Sequence, residues 1–164
     1  MKKWILFLIS LLLLILDNSF MPFLAIKGVF PSLLFTFAIA YSIINGKKEA
    51  VIIGIMSGLL QDIYFYNGFG VNALINMLIC LLAAVIGENI YRNKKLIPTI
   101  SMMFLYILKV FLLFIILKIS GKKINVELGI YASVYSSVVM FLGYNSVLRL
   151  YDMNYKKKSW RFKW

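Results

Sequence analysis

Apolar residues run through this chain in long blocks, and polar residues collect in short gaps between them. Six blocks stand out: 4–20, 23–44, 50–66, 71–90, 96–119 and 128–148. A helix needs about 20 apolar residues to span a bilayer, and each block is near that length. The gaps include Asn45-Gly46-Lys47-Lys48-Glu49, Asn67-Gly68-Phe69-Gly70 and Tyr91-Arg92-Asn93-Lys94-Lys95. Connections this short force neighbouring helices to run antiparallel. The pattern predicts an all-α integral membrane protein, a compact bundle of six transmembrane helices over residues 1–152. A basic, aromatic cytoplasmic tail follows at 153–164.

Two blocks need comment. The opening "MKKWILFLISLLLLIL" also reads as the basic and apolar regions of a signal peptide, but "DNSFMPF" after it lacks a small-x-small cleavage site. An uncleaved first helix is expected. The third block is short and holds Gly54, Ser57, Gly58, Gln61 and Asp62. It is read as a short full span, the alternative being a broken element buried by protein.

Composition agrees with this class. The chain is 62% hydrophobic with a mean hydropathy of +0.89, whereas soluble domains are about 45–50% apolar. There are 18 Lys and Arg against 6 Asp and Glu, a net charge of +12. These bases lie mostly between apolar blocks or at the ends, which argues for membrane topology and against nucleic acid as a partner. With the N-terminus inside, thirteen bases fall on the cytoplasmic side and four outside, with Lys109 inside a block. That asymmetry places both termini in the cytoplasm. Lys122 and Lys123 form the one local exception.

The chemistry on offer is sparse. The chain has no His and a single Cys80, so zinc sites and Cys-His nucleophiles lack their parts. The paired aspartates of an intramembrane aspartyl protease and the clustered aspartates of the CDP-alcohol phosphotransferases are also absent. No catalytic residue, metal or cofactor is expected.

What stands out is "IGIMSGLLQD", residues 53–62. Gly54, Gly58 and Asp62 are spaced i, i+4, i+8, along one helical stripe. The Gly54/Gly58 pair lets another backbone approach closely, either within the bundle or from a partner. Asp62 costs about 2.5–3.5 kcal/mol to insert as a charge and so requires compensation. Counted along their helices from the cytoplasmic side, Asp62 and Lys109 both lie about 18 Å deep. They are therefore a candidate buried ion pair. The alternative is a hydrated Asp62 at the outer interface and a Lys109 bonded to backbone carbonyls. Asn67, Asn72 and Asn76 bring amides to the same outer region, and Glu88 is spaced for a local pair with Arg92. The tail bases Lys156, Lys157, Lys158, Arg161 and Lys163 read as a positive-inside anchor, or as a strip for anionic lipid or a cytoplasmic partner.

Pro31 to Ile79 resembles the MreD family of bacterial rod-shape membrane proteins. The shared pattern is a Pro opening an apolar helix, a short basic loop, then G-x-x-x-G-x-x-x-D, a Gly and another apolar helix. Gly54, Gly58, Asp62, Gly68 or Gly70, and Asn72 fill those places. Outside this stretch the likeness is in hydropathy alone. The resemblance implies a non-enzymatic scaffold in the bacterial cytoplasmic membrane that binds MreC and works indirectly with MreB, RodA and a penicillin-binding protein in lateral peptidoglycan synthesis. It also implies a likeness in fold to substrate-binding subunits of energy-coupling-factor vitamin transporters. A substrate-binding subunit of a small-molecule transporter is accordingly the alternative reading.

Overall fold

A computed structural model describes residues 3–26, 28–65, 70–89, 96–119 and 126–160, the last ten of these as backbone alone. Six helices follow one another: α1 Lys3–Ser19, α2 Leu33–Asn45, α3 Lys47–Phe65, α4 Val71–Glu88, α5 Leu96–Ile119 and α6 Val126–Trp160. A single 3₁₀ turn, Met21–Leu24, lies between α1 and α2. The described residues contain no strand, only an isolated bridge between Ile26 and Val29.

The bundle is built around α2. Every residue from Leu34 to Ile44 is buried, and α2 packs against all five other helices. Phe35, Ile39 and Ile43 meet Ile75 and Ile79 of α4, Met102 and Leu105 of α5, and Met140 and Tyr144 of α6 in one apolar core. A second cluster joins Leu6 of α1, Phe37 and Tyr41 of α2, Ile53 of α3 and Cys80 of α4.

The outer helices turn large apolar side chains outward as well. Leu8 and Leu12 on α1, Leu74 on α4, Ile100 and Phe104 on α5, and Leu142 on α6 are all more than half exposed. In water such a surface would drive aggregation; against hydrocarbon it is at rest. Two of the described helices, α4 and α5, are long and apolar enough to cross a membrane.

Two segment boundaries differ from the sequence expectation. The block 23–44 is not one helix: among the described residues, nearly its first half is the end of the 3₁₀ turn and a non-helical run, and α2 begins at Leu33. Pro22, Gly28 at φ +77° and Pro31 all oppose helix there. The resulting α2 has 13 residues, about 20 Å, against about 30 Å of hydrocarbon. The other is the tail, which does not begin a new segment, because α6 continues to Trp160 as a single helix of 35 residues. The third block is one continuous element, as its reading expects, an unbroken helix of 19 residues.

At the ends of α3 and α4 opposite the polar layer described below, Lys47 pairs with Glu88 across the two helices at 2.9 Å. The expected Glu88–Arg92 pair involves Arg92, which lies outside the described residues. The α2–α3 connection is one residue, Gly46 at φ +85°, a backbone region that glycine enters freely.

Candidate functional site

A layer of buried polar side chains crosses the bundle where α2 and α4 begin. It starts with two helix N-termini that need partners for their free N–H groups. At α2 the cap is Ser32, whose hydroxyl accepts from the N–H of Phe35 at 3.2 Å. Asp17 of α1 adds to it. Its Oδ1 accepts from Leu33 N at 2.6 Å, and its Oδ2 from Leu34 N at 3.0 Å and from the Ser32 hydroxyl at 3.1 Å.

The same device recurs at α4. The cap residue there is Gly70, at φ +94°, which has no side chain to offer. Asp62 of α3 supplies it from outside. Oδ2 accepts from the N–H groups of Gly70 and Ala73 at 2.9 and 3.0 Å. Oδ1 accepts from the backbone N–H and the side-chain amide of Asn72 at 3.0 and 2.9 Å. A carboxylate here meets the positive end of the α4 dipole as well as four donors.

Gln61 links the two halves. Its Nε2 donates to the Ser32 hydroxyl at 3.3 Å, and its Oε1 accepts from Asn76 Nδ2 and from Lys109 Nζ, both at 2.9 Å. The Asn76 amide also reaches the Ser57 hydroxyl at 3.4 Å. Lys109 lies 3.9 Å from the centre of the Phe35 ring, close enough for a cation–π contact. The Phe35 ring in turn meets Tyr106 edge to face at 5.5 Å.

The expected Asp62–Lys109 ion pair is not formed. The depth count brought Lys109 to the right turn of α3, but it lands on Gln61, one residue earlier. Asp62 faces the N-terminus of α4 and has both oxygens engaged there.

The Gly54/Gly58 stripe is packed within the molecule. A Cβ on Gly54 would lie 2.6 Å from Met77 Cα, and one on Gly58 would collide with the backbone of Asn72 and Ala73. Both glycines thus exist so that α3 and α4 can touch main chain to main chain, which leaves no room for a partner helix on that face. Gly87 does the same between α4 and α2, against the carbonyl of Ile43.

Of the other predicted residues, Asn72 and Gly70 join the Asp62 cap. Asn67, Gly68, Arg161 and Lys163 lie outside the described residues, and Lys156, Lys157 and Lys158 are on the backbone-only end of α6. Sequence reasoning singled out Ser57 and Gln61 only as polar residues of the third block, and gave no site role to Asp17, Ser32 or Gly87. Ser32 did carry a signal, since a Ser directly after Pro and before an apolar run marks a helix start. Asp17 is open to the same cost argument that singled out Asp62.

No group of three or more His, Cys, Asp and Glu that could hold a metal occurs among the described residues. The two buried carboxylates cap different helices.

A family model described as rod shape-determining protein MreD matches residues 1–153. The chain belongs to the MreD family. Membership gives it a part in rod-shape determination at the membrane, in a family with a structural rather than an enzymatic role. No curated protein and no solved structure matches the chain. Part of the polar layer, Ser32, Gln61, Asp62, Asn72 and Asn76, falls inside the stretch that carried the MreD resemblance, and there Asp62, Asn72, Gly54 and Gly58 form the α3–α4 joint.

Proposed function

We propose that the protein is a non-enzymatic scaffold in the bacterial cytoplasmic membrane, with its helices embedded, α2 as a short central one, and both termini inside. In this role it binds MreC and, through it, helps couple MreB filaments to RodA and a penicillin-binding protein during lateral wall synthesis. The observation that carries this reading is the family match over residues 1–153. The use of the buried polar groups supports it. Asp17, Asp62, Gln61 and Asn76 hold helices to one another, which serves a rigid platform. The bases along the end of α6 fit contact with anionic lipid at the inner surface.

The transporter-subunit reading has less support. It would place Asp62 and the Asn72 and Asn76 amides in an outward cavity, free to bind a substrate. Asp62 and Asn72 are instead bound to each other, and Asn76 is bound to Gln61 and Ser57.

The test is depletion in a rod-shaped host together with affinity purification. The scaffold reading expects rounded cells and co-purification of MreC. Unchanged cell shape, or recovery with an ATPase and a membrane coupling subunit in place of MreC, would overturn it.

A further inference from the structure

Buried charge in the polar layer is not balanced throughout. The charge of Asp17 is met by the start of α2, and that of Asp62 by the start of α4. Lys109 is the one cation among the buried described residues. Among the described residues no carboxylate lies within ion-pair distance of it. Its only hydrogen-bond acceptor among the described residues is the neutral Gln61 oxygen, and its other contact is the face of Phe35. An ammonium has three donors, and a cation at this depth ordinarily has a counter-charge.

Lys109 also lines a cavity of about 350 Å³, a size typical of ligand sites. The cavity exists because α1 packs on α2 and α3 but stands away from α5 and α6. Its polar lining is Lys109, Asp17, Ser32, Gln61 and Asn72, and its walls include Leu14, Leu113 and Leu117. Further along the same side of α1, a second hollow of about 250 Å³ lies between α1 and α6, lined by Leu13, Leu33, Phe37, Val139 and Gly143. It is almost wholly apolar. No residue lines both hollows, but Leu13 and Leu14 are consecutive on α1 and Ser32 and Leu33 on α2, so the two follow one another along these helices. A cation at one end and an apolar trough leading away from it is the shape of an amphiphile.

We propose that this cleft is a binding site for a phosphate-bearing anionic lipid, with its headgroup phosphate on Lys109 and an acyl chain in the trough between α1 and α6. The site is separate from any lipid contact of the basic tail, and it does not depend on the scaffold role.

The probe is dioleoyl-phosphatidylglycerol added to the full chain in a neutral detergent, with bound lipid read by native mass spectrometry. One tightly held lipid per chain is expected. Lys109→Met should weaken it at least tenfold. Ala132→Phe, which fills the cavity from α6 and leaves Lys109 in place, should do the same. A variant with Lys156, Lys157 and Lys158 all changed to Gln should keep that lipid. Dioleoylglycerol, which has the chains without the phosphate, should fail to displace it, and so should inorganic phosphate at equal concentration. Wild-type affinity in both cavity variants would overturn the proposal, as would loss of the lipid in the tail variant alone. Displacement by dioleoylglycerol would remove the role of the headgroup. Displacement by inorganic phosphate would make this a free-oxyanion site and not a lipid site.

Discussion

Asp62 and Asn72 are joined twice: one carboxylate oxygen accepts both the backbone N–H and the side-chain amide of Asn72. With Gly70 and Ala73 on the other oxygen, Asp62 carries the capping of α4 from a different helix. Asp62→Ala leaves four donors without that acceptor in a nearly dry site. Since hydrogen bonds to a charged group are worth about 1.5–3 kcal/mol each and are not additive, a loss of about 3 kcal/mol is expected. Asp62→Asn keeps one carbonyl acceptor and should recover part of it. Unfolding in detergent, followed by far-ultraviolet circular dichroism, would give both values. Equal stability of Asp62→Ala and the wild type would remove the cap from the account.

Asp17 and Ser32 make the same joint between α1 and α2 with the load shared. Because Ser32 also caps its own helix, and Asp17 holds two backbone N–H groups directly, neither change removes everything. Ser32→Ala should cost about 1 kcal/mol, the usual value of an N-cap, and Asp17→Ala more. The double variant should cost less than the sum, because both singles break the Ser32–Asp17 bond. A strictly additive cycle would show that the two residues act independently.

The glycines separate into two kinds, and this gives a contrast within one protein. Gly58→Ala puts a methyl into the backbone of Ala73, and Gly87→Ala puts one into the carbonyl of Ile43. Neither obstacle is a side chain that can turn away, so a loss of about 1–3 kcal/mol or more is expected, as for overpacking. At Gly143 the added methyl meets nothing within 4 Å, and Ala should raise stability by up to about 1 kcal/mol through helix propensity. Melting temperatures of the three variants in the same detergent would test this ranking. Loss of MreC binding by Gly58→Leu would carry no information about a docking face, because the bundle itself is disrupted.

Legibility in the sequence followed the range of the forces involved. The helices were readable, because hydropathy acts over twenty residues at a time. The exception is α2, where the local backbone limits of Pro22, Gly28 and Pro31 overrule an apolar composition. Gly54, Gly58 and Asp62 were recognisable as a unit because glycine spacing and a charge in hydrocarbon both demand an explanation. What each residue touches was not legible. Whether Asp62 faces α5 or α4 depends on about 100° of rotation around α3, which depth counting cannot supply. Gln61, neutral and next to Asp62, stands out in the sequence only as one more polar residue of the third block, yet it joins Ser32, Asn76 and Lys109.

Lys109 gives the sharpest separation between a structural and a binding role. If it were half of an ion pair with Asp62, then removing it would strand a buried carboxylate at about 3–5 kcal/mol. The geometry predicts otherwise. Asp62 is satisfied by α4, and the Gln61 oxygen that Lys109 contacts still receives the Asn76 amide. Lys109→Met keeps the length and packing on Phe35 and removes a charge from an apolar core, a change that is often neutral or stabilising. The variant should therefore unfold at the wild-type temperature or above it. The exchange Asp62→Lys with Lys109→Asp should be at least as unstable as Asp62→Ala, because it puts a cation against the N-terminus of α4. A destabilised Lys109→Met rescued by that exchange would restore the ion pair and discard the arrangement described here.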